Sequence, residues 1–191
     1  MVLDDRQLTP ATSAVSGCDD VLVLTIRFAR VEDLQTLPEI ERRAGEAFRS
    51  LGMDSVAEDD PRPAQHLADY QQVGRAWVAE DAGQVVGYLL LDLVAGAAHI
   101  EQVSVEPSHA RRRIGSQLIE AAAGWARHHG LRAMTLTSFA LVPWNAPYYT
   151  RLGFVVLPDA DQSPELREIR RSEVARGLDA WPRVAMRRPL K

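Results

Sequence analysis

The stretch from residue 98 to residue 140 constrains this chain most. An apolar strand over residues 98–105 runs into Glu106-Pro-Ser-His-Ala-Arg-Arg-Arg-Ile-Gly115. Ile114, Leu118, Ala122 and Trp125 then recur on one helical face, with Gly130 placed to end the helix. A second strand follows over residues 133–140. Strand, arginine-rich turn, helix and strand in that order require a sheet with the helix laid on its face. The helix start leaves backbone N–H groups unpaired and turns a positive dipole end toward the turn. Such a place suits a phosphate or pyrophosphate.

The flanking sequence extends this unit into one domain. Leu24, Ile26 and Phe28 alternate with Thr25, Arg27 and Ala29, which predicts a strand. Apolar residues then recur at helical spacing from Leu34 to Leu51, with Pro38 at a start or a kink. A polar break over residues 52–63 precedes a short helix over 64–71. Residues 76–80 and 84–93, joined by Asp81-Ala-Gly83, read as a hairpin. After the central unit come a short helix over 146–152, a strand over 154–157, a helix over 164–177 and a last strand through Val184 and Met186. The expected fold class is α+β, with a mixed, largely antiparallel central sheet flanked by helices on both faces.

At 191 residues and 46% apolar, residues 22–191 suffice for a single domain with a sizeable core. Residues 1–21 read as a disordered tail, without the basic and apolar runs of a signal peptide. A net charge of −4 argues against a nucleic-acid partner, and no apolar run is long enough to span a membrane. Cys18 is the only cysteine, which suits a reducing compartment and a cytoplasmic location. Residues 32–62 hold nine acids against four arginines, whereas residues 109–132 hold five arginines and one acid. A basic patch suits an anionic cofactor, and an acidic flank suits a cationic acceptor. Ordinary solvated helix faces explain the acidic flank equally simply.

A second motif, Asn145-Ala-Pro-Tyr-Tyr149-Thr-Arg-Leu-Gly-Phe154, completes the pattern. With the turn at residues 110–115 it resembles the acetyl-CoA-binding core of the GNAT N-acetyltransferase superfamily, in its bacterial form. The resemblance spans roughly residues 22–190 and is firmest over 98–156. The family's turn begins with Gln or Arg and carries two glycines. Here Ala110 stands first, Arg113 replaces the first glycine, and only Gly115 remains. An arginine at position 113 is expected to keep a negative φ.

The resemblance implies the GNAT fold, in which strands 98–105 and 133–140 splay apart and admit the pantetheine arm. It implies acetyl-CoA as co-substrate, with no metal. By resemblance Ala110, Arg111, Arg112, Arg113, Ile114, Gly115 and Ser116 wrap the pyrophosphate. Val103 and Val105, with Ser104 between them, offer backbone groups to the cofactor. Asn145 either bonds the pantetheine or caps the following helix, and the hydroxyl of Tyr149 lies near the CoA sulfur. Many members pair as homodimers through their last strands.

The residues themselves suggest the rest of the chemistry. An alkylamine must lose a proton before it can attack a thioester. Glu101 and His99 lie two apart on one predicted strand, on one face with Val103, and a carboxylate there needs a reason. Glu101 is either the base, directly or through water, or an ion-pair partner of an arginine. His99 reads more simply as a half-buried core histidine. Tyr149 reads as the acid for the leaving thiolate, and Tyr148 as pocket wall or core. Phe48, Phe139 and Trp144 are candidates for an acceptor pocket. There is no Gly-x-x-x-x-Gly-Lys-Ser/Thr loop, and adjacent His128 and His129 cannot face one metal from a helix. The expected function is acetyl transfer from acetyl-CoA to a small-molecule primary amine. A protein or peptide N-acetyltransferase and a non-catalytic acyl-CoA sensor stay open.

Overall fold

The computed structural model describes residues 24–191. The tail assigned to residues 1–21, and Cys18 with it, lies outside the described residues. The elements run β1 (Thr25–Phe28), α1 (Leu37–Gly45), α2 (Asp54–Ala57), α3 (Ala64–Gln72), β2 (Ala76–Asp81), β3 (Gln84–Val94) and β4 (Ala97–Val105). They continue with α4 (Ile114–His128), β5 (Ala133–Phe139), α5 (Ala146–Arg151), β6 (Val155–Val156), α6 (Pro164–Ala175) and β7 (Arg183–Pro189). The seven strands form one sheet in the order β1-β2-β3-β4-β5-β7-β6. Every neighbouring pair is antiparallel except β4–β5, which is parallel. This is the expected α+β architecture.

Each face of the sheet buries its own helices. α4 lays Ile114, Leu118, Ile119, Ala122, Ala123 and Ala126 against Trp77, Leu89, Leu91, Ile100, Met134 and Leu136. Its four small alanines let the helix sit close to the strands. On the other face, Leu37 and Ile40 of α1 and Leu67 of α3 meet Val78, Tyr88 and Leu90. At the C-terminal end of β5, Met53, Phe139 and Val142 form a third cluster with Phe48 and Trp181.

Two local expectations need correction. The periodic stretch from Leu34 to Leu51 is not one helix: α1 ends at Gly45 and a 3₁₀ run, Glu46–Leu51, continues it to Gly52 at φ 69°. Pro38 lies in the first turn of α1, where its missing N–H costs no hydrogen bond. The strand expected over 154–157 contracts to Val155–Val156, an outer strand paired only with β7.

A bulge resets β4. Leu90 pairs with Gln102 and Leu91 with Ile100, so Glu101 has no partner on β3. One extra residue reverses the alternation beyond it. Ile100 before the bulge and Val103 and Val105 after it therefore contact the same α4-side core, whereas His99 meets Thr135 on the opposite face. His99, Glu101 and Val103 do not share a face as the uninterrupted strand predicts.

Gly87 holds β3 close to the end of β4. A Cβ at this position would stand 2.9 Å from the carbonyl oxygen of Ser104 and 3.3 Å from a methyl of Val105. Gly87→Ala should force the two strands apart there and destabilise the protein by about 1–3 kcal/mol. An unchanged urea midpoint would show that the strands absorb the methyl without strain.

Candidate active site

The site begins where β4 and β5 part. Their pairing consists of Ala98 with Met134 and His99 with Thr135, and nothing beyond. At that last rung the side chains also meet, His99 Nδ1 lying 2.9 Å from Thr135 Oγ1. Beyond it β4 stays paired with β3 up to Val105, and β5 with β7 up to Phe139. Each strand therefore turns an edge without a ladder partner toward the other. Backbone edges of this kind need hydrogen-bonding partners, and an extended, amide-bearing arm would provide them. The side chain of Ser104 points away, accepting from Gln102 Nε2 at 2.9 Å, so only its backbone serves the gap.

At the mouth of the gap, the turn preceding α4 is built for an anion. No side chain caps the first turn of α4, so its N–H groups stay free for a ligand. Arg111 and Arg113 both take positive φ, 64° and 62°. The expectation of a negative φ at Arg113 is therefore wrong: the arginine holds the backbone shape the family's glycine would take. That conformation costs a non-glycine residue roughly 1 kcal/mol. Ser116 donates its hydroxyl to the Arg113 carbonyl at 2.7 Å. Arg111, Arg112 and Arg113 are all exposed, and Arg112 reaches Asp81 at 2.6 Å. Ala110 and Ile114 contribute backbone only, the Ile114 side chain being core. Gly115 lets the Tyr148 hydroxyl approach, since a Cβ there would lie 3.1 Å from it. Tyr148 thus reaches the start of α4, a place that helical offset from Tyr149 did not reveal.

Tyr149 packs in the α4-side core, 8% exposed and edge-on to Phe154 at 5.9 Å. Burial pushes its hydroxyl well above the usual tyrosine range, so it stays protonated at physiological pH. Asn145 precedes α5 without capping it. Its Nδ2 donates to Ser138 Oγ of β5 at 2.9 Å, and its Oδ1 is buried without a partner. A buried acceptor left open beside the parted strands suits a ligand N–H.

The opposite face carries the carboxylates. Glu101, at the bulge, forms an ion pair with Arg62. Arg62 also lies near Glu41 of α1, which accepts from the buried Tyr88 hydroxyl at 2.6 Å. Burial raises the Glu41 carboxyl above its ordinary range. Sequence reading missed Glu41, Arg62 and Tyr88, which lie far apart in the chain; the polar break at 52–63 was the only hint. Nearby, Phe48 stands edge-on to Phe139 at 5.6 Å and to Trp144 at 5.7 Å. Leu51, Met53, Phe139, Leu141, Val142, Trp181 and Pro182 line a recess of about 210 Å³. Among the described residues, no three His, Cys, Asp or Glu side chains form a metal-binding group.

Comparison with known proteins agrees with this geometry. The model of the acetyltransferase (GNAT) family matches residues 36–154. The fold is shared with the PaiA N-acetyltransferase of Thermoplasma acidophilum, solved in complex with coenzyme A. That match has 17% identity and a TM-score of 0.64, over 87% of this chain and 99% of that one. Rv2747 of Mycobacterium tuberculosis, solved with CoA and NLQ, matches at 21% identity and a TM-score of 0.64, over 87% and 99% of the two chains. The ribosomal-protein-S18-alanine N-acetyltransferase of Escherichia coli matches at 18% and 0.60, over 88% and 95%. The uncapped α4, the turn with two left-handed arginines, the parted strands and the open Asn145 Oδ1 together fit coenzyme A.

His99 is not placed for proton transfer. It is 1% exposed, and burial lowers its pKa to about 4. Its folded pKa lies below the unfolded value near 6.5, so the unfolded chain binds the extra proton between those limits. Stability should therefore fall as the pH drops from 6.5 to 4, by about 3 kcal/mol on this account. His99→Gln should make that acid limb shallower in urea titrations, and parallel limbs would refute the assignment.

Proposed function

The chain belongs to the GNAT acetyltransferase family, and from that premise we propose that it acetylates the primary amine of a small molecule by direct attack in a ternary complex. Acetyl-CoA, when bound, supplies an acyl thioester; the protein supplies its orientation and the movement of two protons. No side-chain nucleophile is required by this route.

The observation that supports the reading is that a buried tyrosine and a carboxylate lie on opposite sides of the sheet that parts between β4 and β5. Tyr149 lies on the α4 side, kept protonated by burial; it donates to the departing thiolate and regains a proton from the second one the nitrogen sheds as the amide forms. Glu101 stands at the bulge, next to the α1 side. An alkylammonium, with a pKa of about 10.4, must be deprotonated before attack. Glu101 accepts that proton through a water. Arg62 pairs with Glu101 and leaves it ionised to receive that proton. Free backbone N–H groups along the open edge of β4 stabilise the oxygen on which negative charge develops.

Support for a small acceptor comes from the recess at the end of β5. This half-open recess of about 210 Å³ is lined mostly by apolar side chains and has room for one substituent. The lone cysteine adds a cytoplasmic setting to this reading.

Release of CoA thiol from acetyl-CoA, followed against amines, aminoglycosides, amino acids and short peptides, tests the proposal. Release with small amines is the expected result; release with peptide N-termini alone would replace the acceptor class. Tyr149→Phe should lower kcat by roughly 100-fold and leave CoA affinity unchanged. Equal kcat in the two proteins would remove Tyr149 from the mechanism.

A further inference from the structure

Asp81 ends β2, and its side chain is 9% exposed. Its Oδ2 accepts from Arg112 Nη1 at 2.6 Å and lies 3.4 Å from Nε2 of His109. Its Oδ1 is buried and has no partner. Both neighbours belong to the turn between β4 and α4. A carboxylate taken out of water is costly unless paired, and among the described residues this one is paired solely with that turn.

The turn needs such a hold. Arg111 and Arg113 occupy left-handed backbone on either side of Arg112, a shape three successive arginines do not favour by themselves. Its beginning is fixed separately: Glu106 receives Arg43 of α1 at 3.0 and 3.1 Å, and its N–H donates to the Val86 carbonyl at 2.8 Å. From Pro107 to Arg113, Asp81 is the one side chain from the β2–β3 hairpin seen to grip the turn among the described residues.

We propose that Asp81 is a positioning residue for the pyrophosphate turn. By holding Arg112 it fixes the backbone on both sides, so that Arg111, Arg113 and the first N–H groups of α4 face the ligand. Arg112 is then a brace rather than a phosphate ligand. The proposal rests on the reading of this turn as the pyrophosphate site.

Two physical effects of Asp81 have opposite signs. As a bare anion near a pyrophosphate it would repel the ligand, and its removal would tighten binding. As a brace, its removal loosens the turn and weakens binding. Calorimetric titration of the whole protein with CoA, and with pantetheine, which lacks the pyrophosphate, separates them. Asp81→Asn should raise the Kd for CoA about tenfold and leave that for pantetheine unchanged. Arg112→Met, at a half-exposed side chain, should give the same loss. The double variant should lose no more than either single one, since both remove one interaction.

Unchanged or tighter CoA binding by Asp81→Asn overturns the proposal, as does equal loss for both ligands or additive loss in the double variant. Should Asp81→Asn fail to fold, the Arg112→Met comparison decides by the same criteria. A wild-type protein that binds CoA no better than pantetheine overturns the pyrophosphate reading as well. That outcome is distinct from failure of Asp81 alone, where the wild-type preference for CoA remains.

Discussion

Ala98–Met134 and His99–Thr135 are the only pairs joining β4 to β5, and the rest of the site follows from where that pairing stops. A full parallel ladder would satisfy both strand edges internally and leave no room between them. Instead β4 bulges at Glu101, just past the last rung. A bulge bends its strand and increases its twist, and here it does so without cost to the pairing with β3, which resumes at Gln102. The bulge also brings a carboxylate to the edge of the gap. Two features a strand normally avoids, an unpaired edge and a charged side chain at its centre, thus occur together at one point.

Keeping the gap open requires β5 to be held from its other side. Glu173 of α6 accepts from Thr137 of β5, from Arg170, and from Arg183 of β7 at 2.7 and 3.2 Å. Arg183 also lies 4.4 Å above the ring of Phe139. Glu173 and Arg183 are about 10% exposed, so breaking this pair would strand a buried charge at a cost of about 3–5 kcal/mol. Ion pairs such as Arg171–Glu168, exposed at 67% on both sides, contribute about 0–1 kcal/mol. The buried network is therefore what locks α6, β5 and β7 together. Its acids and donors are all satisfied, which marks it as structural.

The elements legible in the sequence were those with a local cause. The hairpin announced itself through Asp81-Ala-Gly83, the start of α4 through the arginine turn, and α5 through Asn145 and Pro147. Tyr149 was found by its place in a motif. What escaped was of three kinds. A bulge changes the face of Val103 without any mark in composition, because Glu101 looks the same in a regular strand. The left-handed φ of Arg113 runs against residue preference and is imposed by neighbours. Arg62, finally, meets Glu101 through a tertiary contact that no spacing encodes.

Glu41, Arg62 and Glu101 give the acceptor side a simple charge balance. Glu41 and Glu101 carry two negative charges and Arg62 one positive, leaving one negative charge around the bulge. An approaching alkylammonium, as in the proposed reaction, brings the group to neutrality, which favours its entry into a partly buried site. Moving its proton to a carboxylate leaves the total unchanged, so the step creates no new buried net charge. The amine becomes neutral where it must attack. A second arginine in place of either glutamate would repel the ammonium, and loss of Arg62 would trap it as an ion pair. In the proposed reaction, two acids and one base would together admit the cation and let its proton leave.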